Sequence, residues 1–229
     1  MKLAIMQPYL LPYLGYFQLI RAVDAFVVYD DVNYIKGGWI NRNCILAQGS
    51  KELITLQLRG ASQNLLINQI EIAGNSEKLL KPIRQRYSKA PQFGTVFPLL
   101  ENIFLQQEKN LARFLGHGLR RVCDYLGLRP EWHISSALKK DNELRGQNKI
   151  LAICEELGAT HYINMPGGKA LYGHENFAHK GLQLSFIQPR PVEYRQFGKS
   201  FVPNLSIIDV MMFNDQSQCA RLLEGYDLA

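Results

Sequence analysis

The chain has 229 residues, 47% of them hydrophobic, and a formal net charge of +6. That length buries one good core, or a main domain with an appendage, and no window approaches the ~20 continuous apolar residues of a membrane span. The positive balance favours anionic partners, but the basic residues are scattered rather than set in a stripe, which argues for a nucleotide or sugar phosphate and against nucleic acid.

The first apolar run, residues 2–6, predicts a buried strand, and LGYFQLIRAV, residues 14–23, predicts a helix with Tyr16, Phe17, Leu19, Ile20 and Val23 along one stripe. Gln7 and Pro8 interrupt the N-terminal apolar stretch, which makes a poor secretion signal. Cys44, Cys123, Cys154 and Cys219 lie far apart with no CxxC, as expected of reduced thiols in a cytoplasmic protein. AFVVYDD, residues 25–31, predicts a second buried strand ending in two carboxylates. Two nearly uniformly apolar strands around a helix argue for a parallel sheet. Residues 37–60 change texture, with short β-rich pieces between Gly, Asn and Ser that suggest a hairpin, and LINQIEI adds a further strand.

From about residue 77 the pattern turns helical. EKLLKPIRQRYSKA carries Pro82 in its first turn, and residues 95–108 and 110–126 continue the run. NKILAICEELG then forms an amphipathic helix capped at Gly158, THYINM the next parallel strand, and residues 182–189 another. Residues 204–215 close with an apolar helix that Ser206 caps. The expected fold is α/β: a Rossmann-like parallel sheet core with a small β excursion and a helical insertion. Residues 1–229 form a single compact α/β domain in this reading, with residues 77–128 as the insertion.

Chemistry-bearing residues gather where strands end. Pro8 and Pro12 stiffen the loop after the first strand, and Gly15 lets the backbone approach a ligand. Gln7, Tyr9, Tyr13 and Tyr16 offer an amide, ring faces and hydroxyls that suit a base or a sugar, next to the free N–H groups of a helix start. A proline-stiffened turn with packed tyrosines fits the same residues. Asp30 and Asp31 follow the second strand, and alternation turns only one of them to a crevice, where it would bind a metal, orient an amine or accept ribose hydroxyls. Lys36, Arg42 and the glycines between them form a candidate phosphate edge. His161 lies in the proposed third strand, and Gly167, Gly168 and Lys169 follow it as a second anion-binding turn, with Tyr172 and His174 nearby. Asn204 is a further polar contact. His133, Ser135 and Ser136 lack the elbow and oriented base that a nucleophile needs. The histidines fall into neither an HExxH pattern nor a triad, so no metal centre is expected, and neither a Walker A loop nor a GxGxxG is present.

MQPYLLPYLGYFQLI, DAFVVYDDVNYIKGGWINRN, THYINMPGGKALY and FVPNLSIIDVMMFN resemble the WbqC-like protein family in order and spacing, almost from end to end. The resemblance implies a part in bacterial surface-polysaccharide biosynthesis, especially O-antigen assembly. A more distant likeness to HIGH-type nucleotidyltransferases would set Tyr13-Leu14-Gly15-Tyr16 in place of the H-x-G-H helix start. Tyrosine donates to phosphate but carries no positive charge, so Lys36, Arg42 or Lys169 would have to supply the electrostatics. The expected function is a transferase or ligase that modifies a nucleotide-linked amino-sugar with a small acyl or aminoacyl group. In that reading Asp31, Lys36, His161 and Lys169 are catalytic, ATP or a nucleotide-sugar binds, and magnesium is compatible. A non-catalytic sugar-nucleotide-binding or assembly module, a HIGH-like nucleotidyltransferase and a glycosyltransferase stand as alternatives, the last without a clear DxD. Composition leaves the oligomeric state open.

Overall fold

The computed structural model describes residues 1–229. Strand β1 (Lys2–Met6) leads through a loop to helix α1 (Leu14–Arg21) and strand β2 (Ala25–Val28). An excursion follows, made of the hairpin β3 (Arg42–Ala47) and β4 (Ser50–Thr55), then the two-residue strands β5 (Leu58–Arg59) and β6 (Glu71–Ile72). Helices α2 (Leu80–Tyr87), α3 (Phe93–Phe104) and α4 (Leu111–Leu126) come next, and β7 (Glu131–Ile134) returns the chain to the main sheet. The remainder runs α5 (Gly146–Glu156), β8 (His161–Asn164), α6 (His174–His179), β9 (Gln183–Pro189), α7 (Ile207–Phe213), α8 (Gln216–Leu223) and β10 (Tyr226–Leu228).

The main sheet has the order β10-β9-β8-β1-β2-β7. Every neighbouring pair is parallel except β9 and β10. The chain therefore builds from β1 outward to β2 and β7, then crosses back to lay β8 and β9 on the other side of β1. Such a reversal leaves a crevice beyond the carboxyl ends of the strands, the usual ligand position in open α/β sheets. Alternation fixes the two faces. Ala4 and Phe26 join a large core with α1, α7, α8 and the helices α2–α4. Leu3, Ile5, Ala25 and Val27 pack with Ile150 and Ile153 of α5 and Phe177 of α6.

Two strands were not expected. EWHI of β7 is only half-buried and four residues long, so it has neither an apolar run nor clean alternation, and its partner β2 lies a hundred residues upstream. Strand β10 is an exposed edge defined by its antiparallel pairing with β9. LINQIEI is mostly a 3₁₀ turn, with β6 as its only extended part. The apolar run after residue 25 stops pairing at Val28, which places Asp30 and Asp31 beyond the strand. No helix is long and apolar enough to cross a membrane.

Candidate functional site

The loop from Gln7 to Tyr13 links the carboxyl end of β1 to the start of α1. Leu11 in that loop has φ +41°, a left-handed conformation rarely adopted by a bulky residue. Strain of that kind persists only where surrounding contacts impose it. Here Asn43 Nδ2 donates to the carbonyls of Leu10 (3.0 Å) and Leu11 (2.7 Å), and Ser206 Oγ donates to Leu11 as well (2.6 Å). Leu10 N–H and Ile207 N–H complete the clamp through Ile40 O and Pro12 O. The hairpin and the start of α7 thus fix the loop from two sides.

Two cavities flank this loop. The larger, about 440 Å³, lies between Tyr13–Gly15 and the irregular segment 189–205, with Pro189, Arg190, Tyr194 and Phe201 on its wall. The smaller, about 310 Å³, is lined by Tyr9, Pro12, Tyr13, Trp39, Asn43 and Asn204. Tyr13 and Asn204 border both. Gly15 is required by the packing: a Cβ there would stand 2.5 Å from Tyr13 Cε2 and 3.2 Å from Pro189 Cγ. Asn204 has φ +56°, a strained position that asparagine tolerates better than most residues. Burial pushes the Tyr9 and Tyr13 hydroxyls above the usual tyrosine range, so both remain neutral donors.

Tyr9, Tyr13, Gly15 and Asn204 therefore converge, and the other candidates do not join them. Tyr16 belongs to the core: it is 1% exposed and its hydroxyl donates to Gln7 O at 2.8 Å. The helical stripe in the sequence carried that placement, and the inward turn removes Tyr16, with the Gln7 carbonyl, from any ligand surface. His161 starts β8 at the amino end of the sheet, paired with Lys2, on the far side from the crevice. Its pKa is lowered by burial and by the Lys2 and N-terminal charges. Arg42 does not form a phosphate edge with Lys36, because its guanidinium donates to the carbonyls of Gly38 (3.0 Å) and Gly37. Lys36 is exposed on the same loop.

The turn after β8 is likewise closed on itself. Gly168 N–H donates to Met165 O (2.9 Å) and Lys169 N–H to Pro166 O (3.1 Å), so neither is offered to an anion. Gly168 is glycine for space, since a Cβ would lie 2.4 Å from Asn164 Nδ2. Gly167 is exposed, Lys169 Nζ stands 5.8 Å from the Phe186 ring centre, and Tyr172 packs edge-on to Tyr162 and Phe177.

Both carboxylates after β2 are buried, and neither borders the cavities, whereas one of them was expected to face a crevice. Asp30 accepts from Ser136 N–H (2.9 Å), Ser136 Oγ (2.6 Å) and Asn68 Nδ2 (3.2 Å). Asp31 Oδ2 pairs with both Lys140 and Lys149 at 2.9 Å, and Lys149 also donates to Asp31 O. Burial alone raises the Asp31 pKa, but Ser135 and the two lysines outweigh it and hold the carboxyl below its usual value. Neither lysine figured in the sequence reading. Ser136 ties the segment just after β7 to Asp30.

A third buried carboxylate supports the larger cavity from below. Asp209 accepts from Tyr87 Oη (2.8 Å), Tyr194 Oη (2.7 Å) and Gln196 Nε2 (2.6 Å). It is fully buried with no cation beside it, and burial raises its pKa despite the three donors. No group of three or more His, Cys, Asp or Glu side chains comes together in a metal-holding arrangement.

A family model described as the WbqC-like protein family matches residues 7–221. Over 222 residues the chain is 31% identical to "Uncharacterized protein Rv1507c" of Mycobacterium tuberculosis, with 93% of each chain covered. No solved structure matches the chain. The family match begins at Gln7, the first residue of the clamped loop, and takes in every residue that borders the two cavities. On this evidence the chain belongs to the WbqC-like protein family.

Proposed function

We propose that this protein is a transferase or ligase that attaches a small acyl or aminoacyl group to a nucleotide-linked amino-sugar, a precursor of bacterial surface polysaccharide such as O-antigen. The observation that carries the reading is the pair of cavities that share Tyr13 and Asn204 at the start of α1. Group transfer brings the reacting ends of two bound molecules together, and a shared wall gives them a common meeting point. The family's link to surface-polysaccharide synthesis supplies the substrate class. In the transfer the amino-sugar nitrogen bonds to the acyl carbon. The bond from that carbon to its leaving group, the phosphate of an acyl phosphate or the thiolate of a thioester, breaks with the electron pair on the leaving group. The amine proton passes to water. The HIGH-like version loses support, because Tyr16 is committed to Gln7 and only Tyr13 of the two tyrosines faces a cavity.

A non-catalytic sugar-nucleotide-binding module is favoured by one observation: none of Asp31, Lys36, His161 or Lys169 borders either cavity. Calorimetry against ATP, UDP-sugars and dTDP-amino-sugars, with and without magnesium, followed by a search for AMP, pyrophosphate or acylated sugar, separates the two. A product whose formation falls in Tyr13→Phe supports the transferase. Tight nucleotide-sugar binding with no product from any activated donor supports the binding module, and no binding across the panel overturns both.

A further inference from the structure

We infer that the smaller cavity is a sugar subsite built for an uncharged pyranose ring, an assignment that rests on the transferase reading. Its lining contains three aromatic rings, two asparagine amides and a proline, and no ionised side chain. A phosphate or carboxylate enclosed there would lose hydration without gaining a cation. Arg42, whose guanidinium lies 6.0 Å from the Trp39 ring centre, is committed through Nε to the Gly38 carbonyl and through Nη2 to the Gly37 carbonyl. At about 310 Å³ the space sits at the low end of the ligand-pocket range of ~300–1,000 Å³, suited to one ring and not to an entire nucleotide-sugar.

The lining also matches both surfaces of a pyranose. The C–H bonds on a sugar's flat face are polarised by the adjoining oxygens and are attracted to the electron-rich faces of Tyr9, Tyr13 and Trp39. Its hydroxyls need donors and acceptors at the rim. The Tyr9 and Tyr13 hydroxyls, the Trp39 indole N–H and the Asn204 amide make no hydrogen bond within the protein and supply both. Asn43 differs: its amide nitrogen is committed to Leu10 and Leu11 and its oxygen to Cys44 N–H, so it is wall rather than recognition element. Trp39 is 51% exposed on a loop that Arg42 holds in place, a large ring presented to solvent beside the cavity with the Arg42 guanidinium as its neighbour. The absence of a carboxylate has a chemical consequence. An amino-sugar enters more readily as the free amine than as the ammonium ion, and the free amine is the nucleophile that acyl transfer requires.

The chain has two tryptophans, so Trp132→Phe leaves Trp39 as the sole indole reporter. We expect methyl glucosaminide to change Trp39 emission saturably and to bind more tightly as the pH rises through the amine's pKa, whereas methyl glucuronide, UDP and ATP leave it unchanged. Equal responses to the glucuronide, or to UDP or ATP alone, overturn the assignment in favour of an anion or base site, and silence with every sugar overturns it outright. Trp132 packs on Phe26 and beneath Arg120, and should its replacement unfold the protein, calorimetry of wild type against Trp39→Ala reads the same question, with an expected loss of about tenfold in sugar affinity. An unchanged affinity there also overturns the assignment. Nucleotide-sugar heats without any Trp39 response would sink the subsite and leave the transferase reading standing. A Trp39 response to free sugar without nucleotide-sugar binding would do the reverse.

Discussion

At the scale of single residues, the shared wall of the two cavities depends on the missing side chain of Gly15. A methyl group there collides with the Tyr13 ring at 2.5 Å and presses Pro189 at 3.2 Å. Gly15→Ala gains ~1 kcal/mol of helix propensity, which offsets much of an overpacking cost of ~1–3 kcal/mol. The expected result is a protein whose urea midpoint moves little but whose ligand affinity falls about tenfold or more, because the ring that borders both cavities is displaced. Wild-type affinity in Gly15→Ala would mean that Tyr13 does not shape the site. Tyr13→Phe tests the hydroxyl alone and should leave the fold untouched. Tyr9, Tyr13, Gly15 and Asn204 were legible in the sequence because a strand, a stiff loop and a helix start mark a junction before any contact is known. Tyr16 carried two signals, a ring with a hydroxyl and a place in the helical stripe, and the stripe described its position correctly.

At the scale of elements, segment 189–205 forms the outer wall of the larger cavity without helix or strand beyond Pro189. Its attachment to the core runs through α7, where Asp209 Oδ2 accepts from Tyr194 and Gln196, while Gln196 also braces Val202 through two hydrogen bonds. In Asp209→Asn the amide nitrogen either faces the Tyr194 and Gln196 donors or turns to face Tyr87, whose hydroxyl already accepts Leu46 N–H. One donor is left facing another in each case, which costs about 1–3 kcal/mol for a buried group. Asp209→Asn should lower the urea midpoint accordingly and raise proteolytic nicking within 190–203, with little change elsewhere. Unaltered cleavage there would show that the wall holds without the carboxylate. The strands of the main sheet that could be read from sequence were those with apolar runs, β1, β2, β8 and β9. The pattern failed for β7 and β10 because their place comes from neighbours distant in the chain rather than from their own residues. Lys140 and Lys149 were invisible for the same reason: each meets Asp31 across more than a hundred residues, and nothing local distinguishes them from surface lysines.

At the scale of the whole molecule, Asp31 joins the end of β2 to α5 through Lys149 and to the segment after β7 through Lys140, all with side chains almost removed from solvent. Taking away the carboxylate leaves two buried ammonium groups without a counter-charge, so Asp31→Asn should be less stable near neutral pH by about 3–5 kcal/mol. The pH dependence follows from the direction of the shift. The folded carboxyl is held below its unfolded value of ~3.9, so its stabilising contribution is complete above that value and disappears as the pH falls through the lower folded pKa. Asp209 acts with the opposite sign. Its pKa is raised, so its contribution is present below the unfolded value and is lost as the pH rises through the folded one. The two oppose each other in the acid limb of the wild-type curve, which therefore identifies neither. The difference between wild type and Asp31→Asn removes Asp209 from the comparison. Denaturant midpoints measured from neutral to strongly acid pH should show that difference large and constant on the neutral side, then shrinking as Asp31 protonates. A difference that stayed constant into strong acid would mean that Asp31 has the same affinity for protons folded and unfolded, and that the lysines beside it do not hold its charge.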